Sequence, residues 1–274
     1  MPAEIEKPKG AGLLPKPGLL LLGFVGCVLV AFFWPCIAGD ADFFMSDVSY
    51  YFQPFCQFMR NVLQSGRLPL WNPFVCCGMS QIAVPSPGMF YPFTWLMICL
   101  PFSCGLALYM MLHQIIAAFG GWMLARKLGR DAVPSAVAAF VCAFSGYMFA
   151  LASNFTLMAT ASWLPLSVYL MLSINGDFLP RNIHRVVAAA ICLALLIAAG
   201  RPEVAVPASL LLGICAVWPL ATGWSRADLL DKDVWRVVVW RLMPMVLAVS
   251  FSLPVALPAL EWARVSAGAR GLDL

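Results

Sequence analysis

Three carboxylates crowd the stretch GDADFFMSDVSYYFQPF, residues 39–55: Asp40, Asp42 and Asp47, directly after an apolar run able to cross a membrane. Asp40 and Asp42 form a D-x-D pair, a spacing with which two side chains hold a divalent cation such as Mg or Mn through oxygen. A carboxylate kept near a dielectric boundary also titrates higher than one in water, towards the range of a general base. Plainer roles exist for all three. Asp40 and Asp42 also suit a solvated helix end, and Asp47, with Ser46 beside it, suits a helix cap.

Two further groups carry charge where an apolar run breaks. In AGRPEVA, Arg201 has the planar fork that suits phosphate oxygens and Glu203 stands two residues on. The alternative there is a turn ion pair or an acid at a helix N-terminus. In LPALEWAR, Glu261 precedes Arg264 at i,i+3, which an ordinary surface pair also explains. No Gly-rich phosphate loop, HExxH or CxxC pattern occurs, and His113 and His184 are too few and too far apart for a histidine zinc site. His113 fits a hydrogen bond between helices, and Asn154 and Trp163 are candidates to line a cavity.

The elements that position these groups are membrane helices. The chain of 274 residues is 62% hydrophobic and 11% charged, with mean hydropathy +0.86. A soluble domain carries about twice that charge. Apolar runs near the roughly 20 residues needed to cross a bilayer predict an all-α integral membrane protein. Seven spans are expected, at 18–38, 103–126, 132–151, 156–174, 185–200, 203–221 and 237–258. Span 1 is read as retained, because no small-residue cleavage site follows it. The resulting organisation is a tail at 1–17, a first helix at 18–38, a loop at 39–102, a six-helix bundle at 103–258 and a C-terminal tail at 259–274.

With the N-terminus inside, twelve of the 17 Lys and Arg residues fall on the cytoplasmic side and five outside, which satisfies the positive-inside rule. The net charge of +4 is then topological, and no nucleic-acid partner is implied. In this orientation Asp40, Asp42, Asp47, Glu203 and Glu261 all gather at the extracytoplasmic face.

Loop 39–102 is the longest segment outside the spans. Within it, FCQFMRNVLQ places Phe55, Phe58, Met59, Val62 and Leu63 on one helical stripe, predicting an amphipathic helix along the membrane surface. The next stretch is rich in Pro and aromatics and predicts turns and extended pieces, and 90–101 predicts a short interfacial or re-entrant piece. Most of the ten cysteines lie in apolar runs as packed thiols. Cys56 and the vicinal pair Cys76–Cys77 lie in the polar loop, where either free thiols or a disulfide are open.

SDVSYYFQPF, SGRLPLWNPFVCCGMS and FYPFTWL, followed in order by LHQIIAAFGGWMLARKLGR, FSGYMFA, SWLPLSVYLM, AGRPEVA and LPALEWARVSAGAR, resemble YfhO-like bacterial membrane proteins. These are relatives of the GT-C glycosyltransferases. The resemblance covers the chain from about residue 38 and concerns the family's N-terminal part only, since its members run longer; CCGMS departs from a G-x-P expected there. It implies a truncated GT-C-like bundle in the bacterial inner membrane. It also implies a sugar moved from a polyprenyl-phosphate donor to an extracytoplasmic acceptor, with Asp47 as general base. Arg201, Glu203 and Glu261 would then bind substrate, and Asp40 and Asp42 a metal. Two other readings stand. One is a non-catalytic subunit packed among other membrane subunits and lipids. The other is a lipid-sugar transporter, against which no pair of repeated, Gly/Pro-broken spans is found.

Overall fold

The computed structural model describes residues 16–44, 47–75, 77–83, 86, 88–177, 179–222 and 232–269. The tail before Lys16, Ser46, Cys76, Arg226 and the residues after Ala269, which figure in the sequence-based expectations, lie outside the described residues.

Helix α1, Lys16–Ala38, carries Pro17 in its first turn, where a missing N–H costs little. It stops at Gly39, whose φ of +88° is the left-handed conformation that ends helices. The Asp40 N–H donates to the Pro35 carbonyl at 2.9 Å and closes that end. Val25, Leu29 and Phe33, spaced i, i+4, i+8, are buried and face α4, Phe102–Lys127, the central helix of the bundle. Neighbouring chains approach α4 closely because glycines line it. A Cβ on Gly120 would meet the Leu166 backbone nitrogen at 2.5 Å, and one on Gly121 would meet Cys142 Sγ at 2.8 Å.

Six helical segments among the described residues are long and apolar enough to cross a membrane: Leu20–Ala38, Phe102–Lys127, Ala132–Ser173, Pro180–Ala198, Pro202–Leu220 and Lys232–Val265. Seven were expected, and Ala132–Ser173 accounts for the difference. Its 42 residues would extend about 63 Å as one straight helix, roughly twice the hydrocarbon thickness. It breaks instead into α5 (Ala132–Phe144), α6 (Gly146–Ala150), a 3₁₀ turn at Leu151–Asn154, α7 (Phe155–Ser162) and α8 (Leu164–Ser173). Extended backbone at Ser145 and a turn ending at Asn154 interrupt it. Both legs lie on α4. The first leaves the Lys127 end and brings the Ala143 carbonyl to Gln114 Nε2 at 3.5 Å. The second starts with Phe155 stacked edge-on to Tyr109, ring centres 5.2 Å apart, and returns past Gly120.

A second packed group joins α8 to α9 (Pro180–Ala198), α10 (Pro202–Thr222) and α11 (Lys232–Ala269). Asn182 ties the α8–α9 connection, accepting from the Asn175 N–H at 2.9 Å and donating to the Asn175 carbonyl at 2.7 Å. Helix α11 holds Pro244, Pro254 and Pro258 within its 38 residues. The tail predicted from residue 259 is therefore helical as far as Ala269. Proline removes one donor and crowds the carbonyl four residues back, but transmembrane helices tolerate such breaks where neighbours and local adjustment satisfy the backbone. Large apolar side chains on α1, α10 and α11, among them Phe24, Phe32, Leu210 and Val246, are exposed. With lipid as the solvent that outward apolar surface is satisfied, and the chain is a multi-pass, all-α membrane protein in contact with lipids.

The segment between α1 and α4 is structured. It begins with a π-helical turn, Val48–Phe52, continues as α2, Gln53–Gln64, and includes a two-residue antiparallel ladder between β1, Trp71–Asn72, and β2, Met79–Ser80. A short helix, α3, Thr94–Cys99, occupies the predicted interfacial piece. The amphipathic helix is present, yet its apolar face is spent on protein and not laid on lipid. Phe55, Cys56 and Met59 are buried, and Phe52 packs on Phe155 with ring centres 4.5 Å apart. Arg60 fastens α2 to the end of α3, donating to the carbonyls of Ile98 (2.7 Å), Met97 (3.2 Å) and Leu100. Those are carbonyls a helix C-terminus leaves without partners.

Candidate functional site

Polar chemistry concentrates at the loop-bearing end of the bundle. The α9–α10 connection turns at Gly200, φ +84°, and the next residue, Arg201, reaches into the turn before α7. Its Nε donates to Thr156 Oγ1 at 2.7 Å and its Nη2 to Asn154 Oδ1. Thr156 also accepts from Ser86 Oγ at 3.1 Å and donates to Asn154 Oδ1 at 3.1 Å. A hydroxyl has one proton to give and two lone pairs, so Thr156 is fully engaged. Tyr51 extends the network by donating to the Ser86 carbonyl at 3.3 Å.

The partners of Arg201 are neutral. Glu203 lies 3.8 Å away, inside ion-pair range but beyond a hydrogen bond, and its side chain is 61% exposed. The Arg201 side chain is only 21% exposed, so the pair spans a largely buried cation and a solvated acid. The guanidinium is thus fixed in place by neutral oxygens, with a single long ion pair to Glu203 among the described residues, an arrangement suited to an anion. Directly alongside, Gly200 and Pro202 open an apolar groove of about 710 Å³ between α10 and α11. Val206, Leu210, Met245 and Val255 line its length, and Leu260 is at the α11 end. Ser252 lines it too, buried and with its hydroxyl unpartnered among the described residues.

Below the Arg201 network lies a second, closed one. His113 Nδ1 is 2.6 Å from the Tyr109 carbonyl, so that nitrogen carries the proton and Nε2 accepts from the Tyr91 hydroxyl at 2.5 Å. The Tyr91 oxygen accepts from Trp163 Nε1 at 2.9 Å. Burial holds the Tyr91 phenol well above its ordinary value, with Trp163 opposing weakly, so Tyr91 stays a donor. His113 therefore bonds the loop as well as its own helix, and Trp163 is a buried donor. These groups have no spare valence for a substrate. They lock the loop to the bundle.

The other predicted site residues are dispersed. Asp47 is the residue before the π-helical turn, exposed and making no capping bond. Asp40 is exposed. Asp42 accepts from Ser103 Oγ at 2.5 Å and borders a cavity of about 360 Å³ with Cys36, Gln53 and Cys104. Among the described residues no three His, Cys, Asp or Glu side chains gather for a metal. Asp40 and Asp42 alone would leave most of a six-oxygen shell to water or substrate oxygens. Glu261 is exposed on α11, and no ion pair joins it to Arg264. The nine described cysteines are free, and Cys56 is buried.

A third hollow, about 680 Å³, lies between the π-helical turn, α2 and the β1–β2 hairpin. Its amides, Gln53, Gln57 and Asn61, follow each other at i, i+4, i+8 on α2. That spacing is a polar stripe readable in the sequence beside the apolar one. Ser86 and Thr156 carry no sequence signal beyond their type.

No protein-family model, no curated protein and no solved structure matches the chain.

Proposed function

We propose that this chain is a membrane protein of GT-C/YfhO type that moves a sugar from a polyprenyl-phosphate donor to an extracytoplasmic acceptor. The reading places it in the bacterial inner membrane with the N-terminus inside and the loop-bearing end outside, as the Lys and Arg distribution favours. One observation carries it: Gly200 and Pro202, the chain neighbours of Arg201, line an apolar groove, and the Arg201 guanidinium is held by the neutral oxygens of Asn154 and Thr156 with only a long ion pair to Glu203. A polyprenyl chain fits the groove, its phosphate meets the guanidinium fork, and Glu203 and Glu261 border the sugar. Asp47 takes the proton from the acceptor hydroxyl as that oxygen attacks the anomeric carbon. The sugar–phosphate C–O bond breaks, and polyprenyl phosphate leaves.

The test is retention of undecaprenyl phosphate by the full chain in lipid nanodiscs, followed by native mass spectrometry. Retention by wild type, loss in Arg201→Ala and partial recovery in Arg201→Lys support the reading. Equal retention by all three removes Arg201 from lipid-phosphate binding and the reading with it.

A second reading rests on Asp47 itself, which is exposed and borders none of the three hollows. A non-catalytic subunit that presents its apolar outer helices to other membrane subunits needs no base there. Fixed-stoichiometry copurification with other membrane chains, without transferase activity, favours it.

A further inference from the structure

We infer that the hollow between α2 and the β1–β2 hairpin is a binding groove for a neutral saccharide. Its volume, about 680 Å³, lies in the range of small-ligand pockets, roughly 300–1,000 Å³. Its chemistry is selective. None of its lining residues is charged, although Asp42, Asp47, Arg60 and Arg67 are all within the same loop. A charged headgroup would find no counter-charge there.

One wall is polar. Gln53, Gln57 and Asn61 form a single exposed stripe of α2, and no side-chain hydrogen bond engages their amides among the described residues. An amide offers two donors and an acceptor, which pairs naturally with a sugar hydroxyl, itself donor and acceptor. Covering the stripe with an acyl chain would strip three amides of water with no return. The other walls are aromatic. Tyr50 comes from the π-helical turn and is 80% exposed, and Phe74 comes from the hairpin and is 83% exposed. Phe74 is not loose. Asn72 Oδ1 accepts from its backbone N–H at 3.0 Å, and its ring packs edge-on to Phe58 at 6.1 Å.

Ring faces opposite a row of amides match a pyranose, which has apolar C–H faces and a polar rim. An aromatic belt at the lipid headgroup level accounts for the rings but not for the amide stripe. Gln53 also borders the hollow beside Asp42, and Tyr50 lies three residues from Asp47. Within the transferase reading, on which this last step alone rests, the saccharide is the acceptor.

The experiment is saturation-transfer NMR on the full chain in lipid nanodiscs, with maltotriose, cellotriose and chitotriose as probes. Saturable binding of at least one is expected, with Tyr50→Ala and Gln57→Ala each weakening it about tenfold, the loss of one stacking or hydrogen-bonding contact. Both residues are exposed, so unchanged thermal melting checks the fold. Absence of saturable binding by all three sugars overturns the inference. Binding that survives unchanged in the double variant overturns it equally. Undecaprenyl phosphate retention is measured on the same samples. In wild type, no sugar binding with retained lipid ends this inference alone, and sugar binding with no lipid retention ends only the lipid-phosphate reading.

Discussion

Arg201 and Thr156, 45 residues apart in the chain, are joined by a 2.7 Å hydrogen bond from Nε to Oγ1. That bond connects the α9–α10 turn to the start of α7 and, through Ser86 and Tyr51, to the loop after α1. Thr156 is the hub, since Ser86, Asn154 and Arg201 all depend on its one hydroxyl. Asn154 remains a second acceptor for Arg201.

Thr156→Val keeps the side-chain shape and removes the hydroxyl. Ser86 and Arg201 each lose a partner at a site where Thr156 is 1% exposed. A cost of about 1–3 kcal/mol follows from leaving buried polar groups unsatisfied. Thermal unfolding in nanodiscs reads it as a clear fall in Tm. An unchanged Tm would show that water replaces the hydroxyl.

Tyr91→Phe makes a comparable break deeper in the molecule. It deprives His113 Nε2 of its donor and Trp163 Nε1 of its acceptor. His113 is wholly buried, so no water replaces the phenol without repacking. The expected loss is roughly 1–3 kcal/mol, accompanied by faster proteolysis of the loop between α1 and α4, which Tyr91 fastens down. Tyr109→Phe is the control, since His113 bonds the Tyr109 backbone carbonyl and not its phenol.

Which features were legible in advance follows from the range of the forces. The apolar runs, the α2 stripe and the break at Gly200 are local patterns, and each appears near its predicted place. The expected span ended at residue 258, where the apolar run gives out, whereas the helix carries on through Pro254 and Pro258 to Ala269. The hairpin in Ala132–Ser173 was legible in its two apolar legs, although the helical segment runs with short breaks and not a polar loop. Arg201 was picked out by type and position, but its anchoring on Asn154 and Thr156 is long-range and left no trace. The charge pattern predicts a common membrane face for the acids, and a face is a plane, not a point. Asp42, Asp47, Glu203 and Glu261 border no cavity in common.

Cys56 gives the pH dependence. Burial pushes its thiol from an ordinary value near 9 up to about 12, against a smaller pull from Arg60. The folded state thus keeps the proton where the unfolded chain loses it. That contribution is complete below pH 9 and declines as pH rises from 9 through 12, because the unfolded chain then binds fewer protons. Unfolding measured at pH 8 and pH 11 should show a larger loss in wild type than in Cys56→Ala. Maleimide labelling at neutral pH gives the kinetic counterpart, with the exposed Cys77 and Cys99 modified while Cys56 is spared.

Asp47→Asn separates the two readings of the protein. Asp47 is exposed and makes no capping hydrogen bond in the structure, so the substitution removes charge without removing a contact. Surface changes of that kind stay within about 0.5 kcal/mol, and yield and Tm should match wild type. In the transferase reading the same change takes away the group that accepts the acceptor's proton. General-base removal costs about 10²–10⁴-fold in rate, while undecaprenyl phosphate retention, which depends on Arg201, is untouched. Turnover at the wild-type rate by Asp47→Asn removes this aspartate from the chemistry. Absence of turnover in both wild type and variant, with lipid retention intact, leaves a lipid-binding subunit whose acids serve only to solvate the end of the bundle.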